Sequence, residues 1–401
     1  MYPTLSHLIY DLFGIYIPLP IQTFGFWVAT AFLLASWTLT LELKRKETLG
    51  IMKPTEKFEL IGVKLSYLDL FLSLLWSFFI GFKLVDAYFN YSDLVANPQI
   101  FILSTRGHLN GGILFALVYT YFKWYKNKKE QLESPKKITT LIHPYQLVGN
   151  ITMIAAISGI FGAKIFHNLE NFDLFLKDPV GQLISFSGLT FYGGLIGGAI
   201  GVLWYTKKYN IRPLDICDAT APSLMLAYGV GRIGCQMSGD GDWGIDNLSP
   251  KPEWMSFLPD WMWSYKFPHN VIKEGIPMQD CGSEVWFPYC YELINPVWPT
   301  AFYETVICTI FFLFLWKIRK KINVSGVLFC IYLFLNGIER FMIEKVRINN
   351  EYDIFNGITQ AEIISFCLII TGLLGSYLLL NKSKNYIKFI IFIKCFLEKD
   401  R

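Results

Sequence analysis

The chain is short of charge. Of its 401 residues only 17% are Asp, Glu, Lys or Arg, against about 25% in soluble domains. Hydrophobic residues make up 53% and mean hydropathy is +0.37, which argues against a water-soluble globular enzyme. Histidine is scarce, with five in the chain and none in an HExxH pattern. A GxSxG elbow, a Walker loop and a kinase pattern are missing as well, which removes the common hydrolase and nucleotide chemistries. The eight cysteines include no CxxC pair and no Cys/His zinc spacing, so no metal site is expected. Residues 1–20 lack a basic n-region, and the first long apolar run follows Pro18 and Pro20, so no cleavable signal peptide is expected. Nothing points to nucleic acid.

Long apolar runs are what the chain has instead. Runs near the length needed to cross a bilayer, about 20 residues, fall at 21–40, 66–90, 109–125, 147–167, 189–206, 215–237, 300–316, 325–345 and 361–380. The expected fold is an all-α polytopic membrane protein of about nine spans. Basic clusters follow alternate spans: Lys44–Lys46, then Lys126, Lys128, Lys129, Lys136 and Lys137, then Lys207 and Lys208, then Lys317, Arg319, Lys320 and Lys321, then Lys382 and Lys384. All fall on one side, which the positive-inside rule makes cytoplasmic, with the N-terminus outside and the C-terminus inside.

A duplication runs through the first half. Ile80-Gly-Phe-Lys-Leu-Val85 resembles Phe161-Gly-Ala-Lys-Ile-Phe166, and Asn110-Gly-Gly-Ile-Leu114 resembles Tyr192-Gly-Gly-Leu-Ile196. Pro98 and Pro179 lie between, and the offset is about 80 residues, so two span pairs of one orientation form a parallel repeat. The expected organisation is 1–64 with the first span, 65–145 as the first repeat copy, 146–380 as the core and 381–401 as a cytoplasmic tail. The core includes an outside arm at 238–299, rich in Trp243, Trp254, Trp261, Trp263, Trp286 and Trp298, residues suited to a membrane interface. Cys281 and Cys290 share that arm on the oxidising side, and a disulfide between them is expected.

Charge inside the spans carries the functional signal. Arg232 sits late in an apolar run that has no charge after Asp218. A guanidinium there costs roughly 2.5–3.5 kcal/mol on insertion, so function is its default reading. Its setting is Gly-rich, with Gly229, Gly231, Gly234, Gly239, Gly241 and Gly244. A planar fork in such a setting suits a lipid phosphate, while the plain alternative is a structural Arg paired with a carboxylate on a neighbouring helix. Arg340 and Glu344 are four apart and share a helix face, which Arg347 is expected to join. Tyr303 and Glu304 open the seventh expected span at a similar level. Cationic groups converging at one depth point to an anionic ligand. His108 and His167, near outer span ends, read as interfacial caps.

At this point the residues resemble a known family. Asp215-Ile-Cys-Asp-Ala-Thr-Ala-Pro-Ser223 running into Gly231-Arg-Ile-Gly234 is similar to the signature of phosphatidylglycerol–prolipoprotein diacylglyceryl transferases. Ile21–Phe26, Gly188–Gly197, Pro299–Glu304 and Arg340–Glu344 with Arg347 resemble its other elements in order. The resemblance implies a bacterial inner-membrane enzyme with phosphatidylglycerol and the lipobox cysteine of a prolipoprotein as substrates, and no metal or organic cofactor. It would form a thioether and release glycerol phosphate. Carried over, Arg232 and Arg340 would bind the phosphate, with Glu344 and Arg347 in support, and Gly244 would close the signature loop. Tyr192 stands where the family often has a His proposed as base, so Glu344, Asp240, Asp242 and Tyr192 all remain candidates for that role. Cys235 replaces a family Asn and Phe24 a family Tyr. The family core has seven spans, so 65–130 is an added pair, read as non-catalytic. A transporter or lipid flippase is the alternative, because parallel repeats and buried charge occur there too.

The topology has a direct test. Single cysteines at Asp93 and Asp260 should label from outside and those at Glu130 and Ile322 from the cytoplasm. Labelling of positions 130 and 260 from one side would overturn it.

Overall fold

The computed structural model describes residues 1–185, 190–348, 351–352 and 358–382. Gly188 and Leu189 of the glycine-rich stretch, Lys384 and the tail beyond residue 382 lie outside the described residues.

The fold is mainly helical. Helix α1 (Leu5–Phe13) precedes the first long helix, α2 (Thr23–Thr48). A ribbon follows, β1 (Thr55–Ile61) paired antiparallel with β2 (Lys136–Ile142), Thr55 opposite Ile142. Between its strands run α3 (Tyr67–Phe89), two six-residue helices, α4 (Tyr91–Ala96) and α5 (Pro98–Leu103), and then α6 (Leu109–Glu130). The same order recurs in α7 (Val148–Glu170), α8 (Phe172–Lys177), α9 (Pro179–Ile184) and α10 (Phe191–Lys207). Helices α11 (Pro213–Ser238), α12 (Thr300–Ile318), α13 (Val327–Glu344) and α14 (Gln360–Lys382) complete the chain.

Among the described residues, five helical stretches are long and apolar enough to cross a membrane: Thr23–Thr48, Tyr67–Phe89, Pro144–Glu170, Thr300–Ile318 and Gln360–Lys382. The other expected spans are helical as well. Helix α10 has 17 residues, α6 ends in a lysine-rich turn, and α11 and α13 carry acidic and basic side chains.

The two repeat copies match in detail. Asn90 and Asn171 end their first helices at φ/ψ of −124/46 and −114/47. Asn97 and Asp178 each cap the next helix, accepting from the backbone N–H of Ile100 and Gly181, with Pro98 and Pro179 in its first turn. Lys83 Nζ donates to the Ser104 carbonyl at 2.6 Å, and Lys164 Nζ to the Ser185 carbonyl at 2.8 Å. Each cation is thus held by the loop of its own copy. The paired helices also touch through glycine. A Cβ on Gly162 would lie 2.3 Å from the Gly193 carbonyl, and one on Gly81 would lie 2.7 Å from the Gly111 carbonyl. Small residues let the backbones approach, which is how apolar helices gain contact without a hydrophobic drive between them.

Helix α11 runs through the middle, packed on α2, α12 and α13. Ile216, Ala219, Ala221 and Met225 are buried there against Leu43, Cys308, Leu315 and Leu328. Cys235 and Cys330 are buried too, while Cys367 is exposed on α14. Two acidic side chains of α11 fix the start of α13. Asp218 accepts from the backbone N–H of Gly326 at 2.7 Å and of Phe329 at 2.9 Å, and Asp215 accepts from the Ser325 hydroxyl. Acceptors at a helix start satisfy N–H groups with no partner inside the helix. The opposite end of α13 is thereby set at a fixed height.

Residues between α11 and α12 fold over that opposite end. Trp243, Phe267, Leu293 and Val297 form a small buried core. Trp243 therefore packs inside the segment, whereas Trp254 is exposed. A short ladder, β3 (Ile276–Pro277) with β4 (Tyr291–Glu292), sits beside the Cys281–Cys290 disulfide, whose Cα atoms are 5.3 Å apart. The bridge expected from compartment and loop is present.

The helix contact predicts a contrast. Gly162→Ala should destabilise by about 1–3 kcal/mol, the usual effect of overpacking, because the added carbon meets backbone. Gly194→Ala should be near neutral, since its nearest neighbours would lie at 3.5 Å. Thermal unfolding in detergent reads both.

Candidate functional site

Arg232 lies near the end of α11, about two turns before the helix closes at Gly239 in the left-handed region, φ 64. Its Nη1 pairs with Asp242 just beyond the helix, and its Nε pairs with Glu304 in the first turns of α12. Arg347 meets the same two carboxylates, through Nη2 to Asp242 and Nη1 to Glu304 at 3.4 Å. Arg340 closes the set, with Nη2 3.0 Å from Glu344 and Nη1 4.0 Å from Glu304. Glu304 thus serves three guanidinium groups and is fully buried. Tyr228 donates its hydroxyl to Glu304 at 3.0 Å and lies under Arg232 at 5.2 Å from ring centroid to guanidinium carbon.

The expected residues converge by different routes. Arg340 and Glu344 share a helix face, as their spacing requires. Arg347 was expected on that face, but α13 stops at Glu344. Arg347 instead reaches the cluster from the following turn, held by a backbone bridge to Gly244. Gly244 is needed there: a Cβ would lie 2.3 Å from the Val346 carbonyl. Gly234 faces away, with Trp27 3.0 Å from where its Cβ would be, so it seats α11 against α2. Tyr303 also turns away and donates its hydroxyl to the Met262 carbonyl at 2.8 Å. Tyr192, at the start of α10, lies in the field of Arg340, Glu344 and Arg347. Glu344 is held from its other side by the Thr359 hydroxyl at 2.6 Å. His108 caps α6, accepting from the Gly111 N–H at 3.1 Å, and the His167 ring lies 3.3 Å from the Asn171 amide.

Two residues were not foreseen. Tyr228 is an aromatic in an apolar run, and nothing in the sequence sets it apart from packing. Glu339 neighbours Arg340 on α13 and is fully buried beside Tyr228, with no ion pair among the described residues. A carboxyl beside the Arg340 motif was the available signal.

The loop carboxylates differ in environment. Burial pushes the Asp242 carboxyl up, but the guanidinium groups of Arg232 and Arg347 outweigh it and hold the carboxyl below its usual range. For Asp240, burial raises the carboxyl and the neighbouring Asp242 raises it further. Cys235, Asp240 and Asp242 offer donor atoms within 4.8 Å of one another. Both Asp242 oxygens already face guanidinium groups, which is a poor setting for a cation.

Fold and site together define a class: a helical membrane protein with a cluster of partly buried guanidinium groups and their counter-ions at one end of the bundle. The chain belongs to the prolipoprotein diacylglyceryl transferase family, whose model matches residues 110–378. Similar proteins carry the name phosphatidylglycerol–prolipoprotein diacylglyceryl transferase. One from Dehalococcoides mccartyi is 28% identical over 228 residues, 56% of this chain and 74% of its own. Another, from Buchnera aphidicola subsp. Acyrthosiphon pisum, is 27% identical over 298 residues, 70% of this chain and 95% of its own. A third, from Staphylococcus haemolyticus, is 29% identical over 233 residues, 58% of this chain and 72% of its own.

Glu304 should be the least replaceable counter-ion. Glu304→Ala should destabilise the protein by about 3 kcal/mol, because it removes the buried carboxylate that three partly buried guanidinium groups share. Thermal unfolding in detergent measures it. A melting temperature equal to that of the parent protein would mean that the three arginines do not depend on Glu304.

Proposed function

We propose that this protein transfers the diacylglyceryl group of phosphatidylglycerol to the lipobox cysteine of a prolipoprotein in the bacterial inner membrane. The observation that carries this reading is the convergence of Arg232, Arg340 and Arg347 on one buried carboxylate, Glu304, in a chain of this family. The bundle would cross the membrane about nine times, with the arm and N-terminus outside and the tail inside. The pair 65–130 would be an accessory copy, since Asn110 stands in it where Tyr192 stands in the second.

The acceptor thiol loses its proton and its sulfur attacks the glyceryl carbon. A C–S bond forms, the C–O bond to phosphate breaks, and glycerol phosphate leaves with the electron pair. Charge grows on the leaving phosphate, so preorganised guanidinium donors lower the barrier. A free thiol has a pKa of about 8.5, so a base is required. Among the candidates, Glu344 is engaged by Arg340 and Thr359. Burial moves the Asp240 carboxyl upward, the direction a base acting near neutral pH needs. Asp240 is the base we favour.

Arg232→Ala should lower transfer by roughly 10²–10³, the usual effect of losing one such donor. Arg232→Lys should recover only part, because an ammonium cannot reproduce the fork. The assay is the mass gain of a lipobox peptide with phosphatidylglycerol vesicles. A flippase would move lipid and leave the peptide mass unchanged. Normal transfer by folded Arg232→Ala protein would overturn the assignment.

A further inference from the structure

We propose that Asp242 holds the place of the donor's phosphate between Arg232 and Arg347, and gives it up by side-chain rotation when the lipid binds. This rests on the function proposed above.

The two carboxylate oxygens are divided between two cations. Oδ2 takes Arg232 and Oδ1 takes Arg347, and these arginines come from different elements. Two guanidinium groups so close repel one another where the dielectric is low, so an anion between them is required. A phosphodiester presents the same features: a single negative charge and two oxygens set for two forks. Exchanging one for the other leaves the charge of the cluster unchanged.

Glu304 and Asp242 differ in how firmly they are held. The Glu304 side chain is 1% exposed and is also fixed by Tyr228. The Asp242 side chain is 26% exposed, more than the 14% and 15% of the arginines it joins, so it lies on the open side of the pair. Glu304 is the permanent counter-ion and Asp242 the exchangeable one.

The backbone supports a movement of the side chain alone. Thr300 Oγ1 donates to the Asp242 carbonyl at 3.0 Å. Gly244 N–H donates to the Trp298 carbonyl and Ile245 N–H to the Val346 carbonyl, both at 2.9 Å. These bonds pin the chain that carries Arg347's neighbour while leaving the carboxylate its own torsions. On the other side, Gly239 and Gly241 turn at φ 64 and 97, a conformation that other residues rarely adopt. Asp242 is thereby aimed back at the end of the helix it has just left.

The exchange can be read on the protein in nanodiscs of phosphatidylcholine. A water-soluble carbodiimide with an amine would label free carboxylates, and peptide mass spectrometry would locate them. Adding phosphatidylglycerol should raise labelling at Asp242 and leave it unchanged at Glu304. Unchanged or lowered labelling at Asp242 overturns the proposal. Labelling that rises with soluble glycerol phosphate but not with the lipid also overturns it, since the exchange would then belong to product. In kinetics, Asp242→Asn should lower the KM for phosphatidylglycerol by about fivefold or more, the range of a typical coupling between two ligands of one site. An unchanged or raised KM in Asp242→Asn counts against the proposal. The labelling arm uses the parent protein, so a variant that fails to fold leaves the test standing. Normal peptide transfer with no change in labelling would sink the exchange and spare the transferase reading. Raised labelling without transfer would do the reverse.

Discussion

A guanidinium in an apolar bundle must be given its counter-charge from within the protein, and Arg232 imposes that requirement on everything around it. The desolvation cost of an unpaired charge is several kcal/mol even after relaxation. Glu304 from α12 and Asp242 from the loop meet it together. Those two carboxylates then attract Arg347, and Glu304 lies beside Arg340. Four separate pieces of chain are thus tied at one point: the end of α11, the loop after it, the start of α12 and the end of α13.

The far end of the same helices is organised in the opposite spirit. Asp218 and Asp215 fix the start of α13, and Glu42 pairs with Arg45 and Arg319 while Arg319 stacks on Trp316. Lys46 lies 3.9 Å from Asp218. Asp218 sits on backbone N–H groups, Asp215 on a hydroxyl and Glu42 on two cations, and Asp218, Asp215 and Glu42 are all buried. A helix anchored at one end holds its other end at a set depth, and Arg340 and Glu344 depend on that. The acidic residues of the signature are in this sense positioning residues for a site a helix-length away.

The duplicated pairs show what a repeat keeps and what it gives up. Both copies keep the lysine clasped by its loop, the capped short helices and the glycine contact. These are the conditions for two apolar helices to stand together. Among the described residues, the second copy brings a phenol, Tyr192, into the field of Arg340, where the first copy has Asn110. Packing rules are local to each copy, whereas a site also needs a neighbour.

Much of this was legible in the sequence by itself. Apolar runs marked every long helix, and the matching Gly, Lys and Pro positions marked the duplication, because both signals depend only on residues near one another in the chain. Arg232, Arg340, Glu344 and Glu304 stood out because charge in an apolar run is costly wherever it occurs. The route of Arg347, the outward turn of Tyr303 and the scaffold role of Gly234 did not follow from spacing. Each depends on where a helix ends and which element packs beside it. Tyr228 and Glu339 acquire their meaning only from the groups they touch across helices. The sequence by itself determined which charges had to be neutralised inside the bundle. The tertiary structure alone decided which partner does so, since ion pairs form over a few ångströms between residues that the chain keeps far apart, 105 positions for Arg347 and Asp242 and 277 for Arg319 and Glu42.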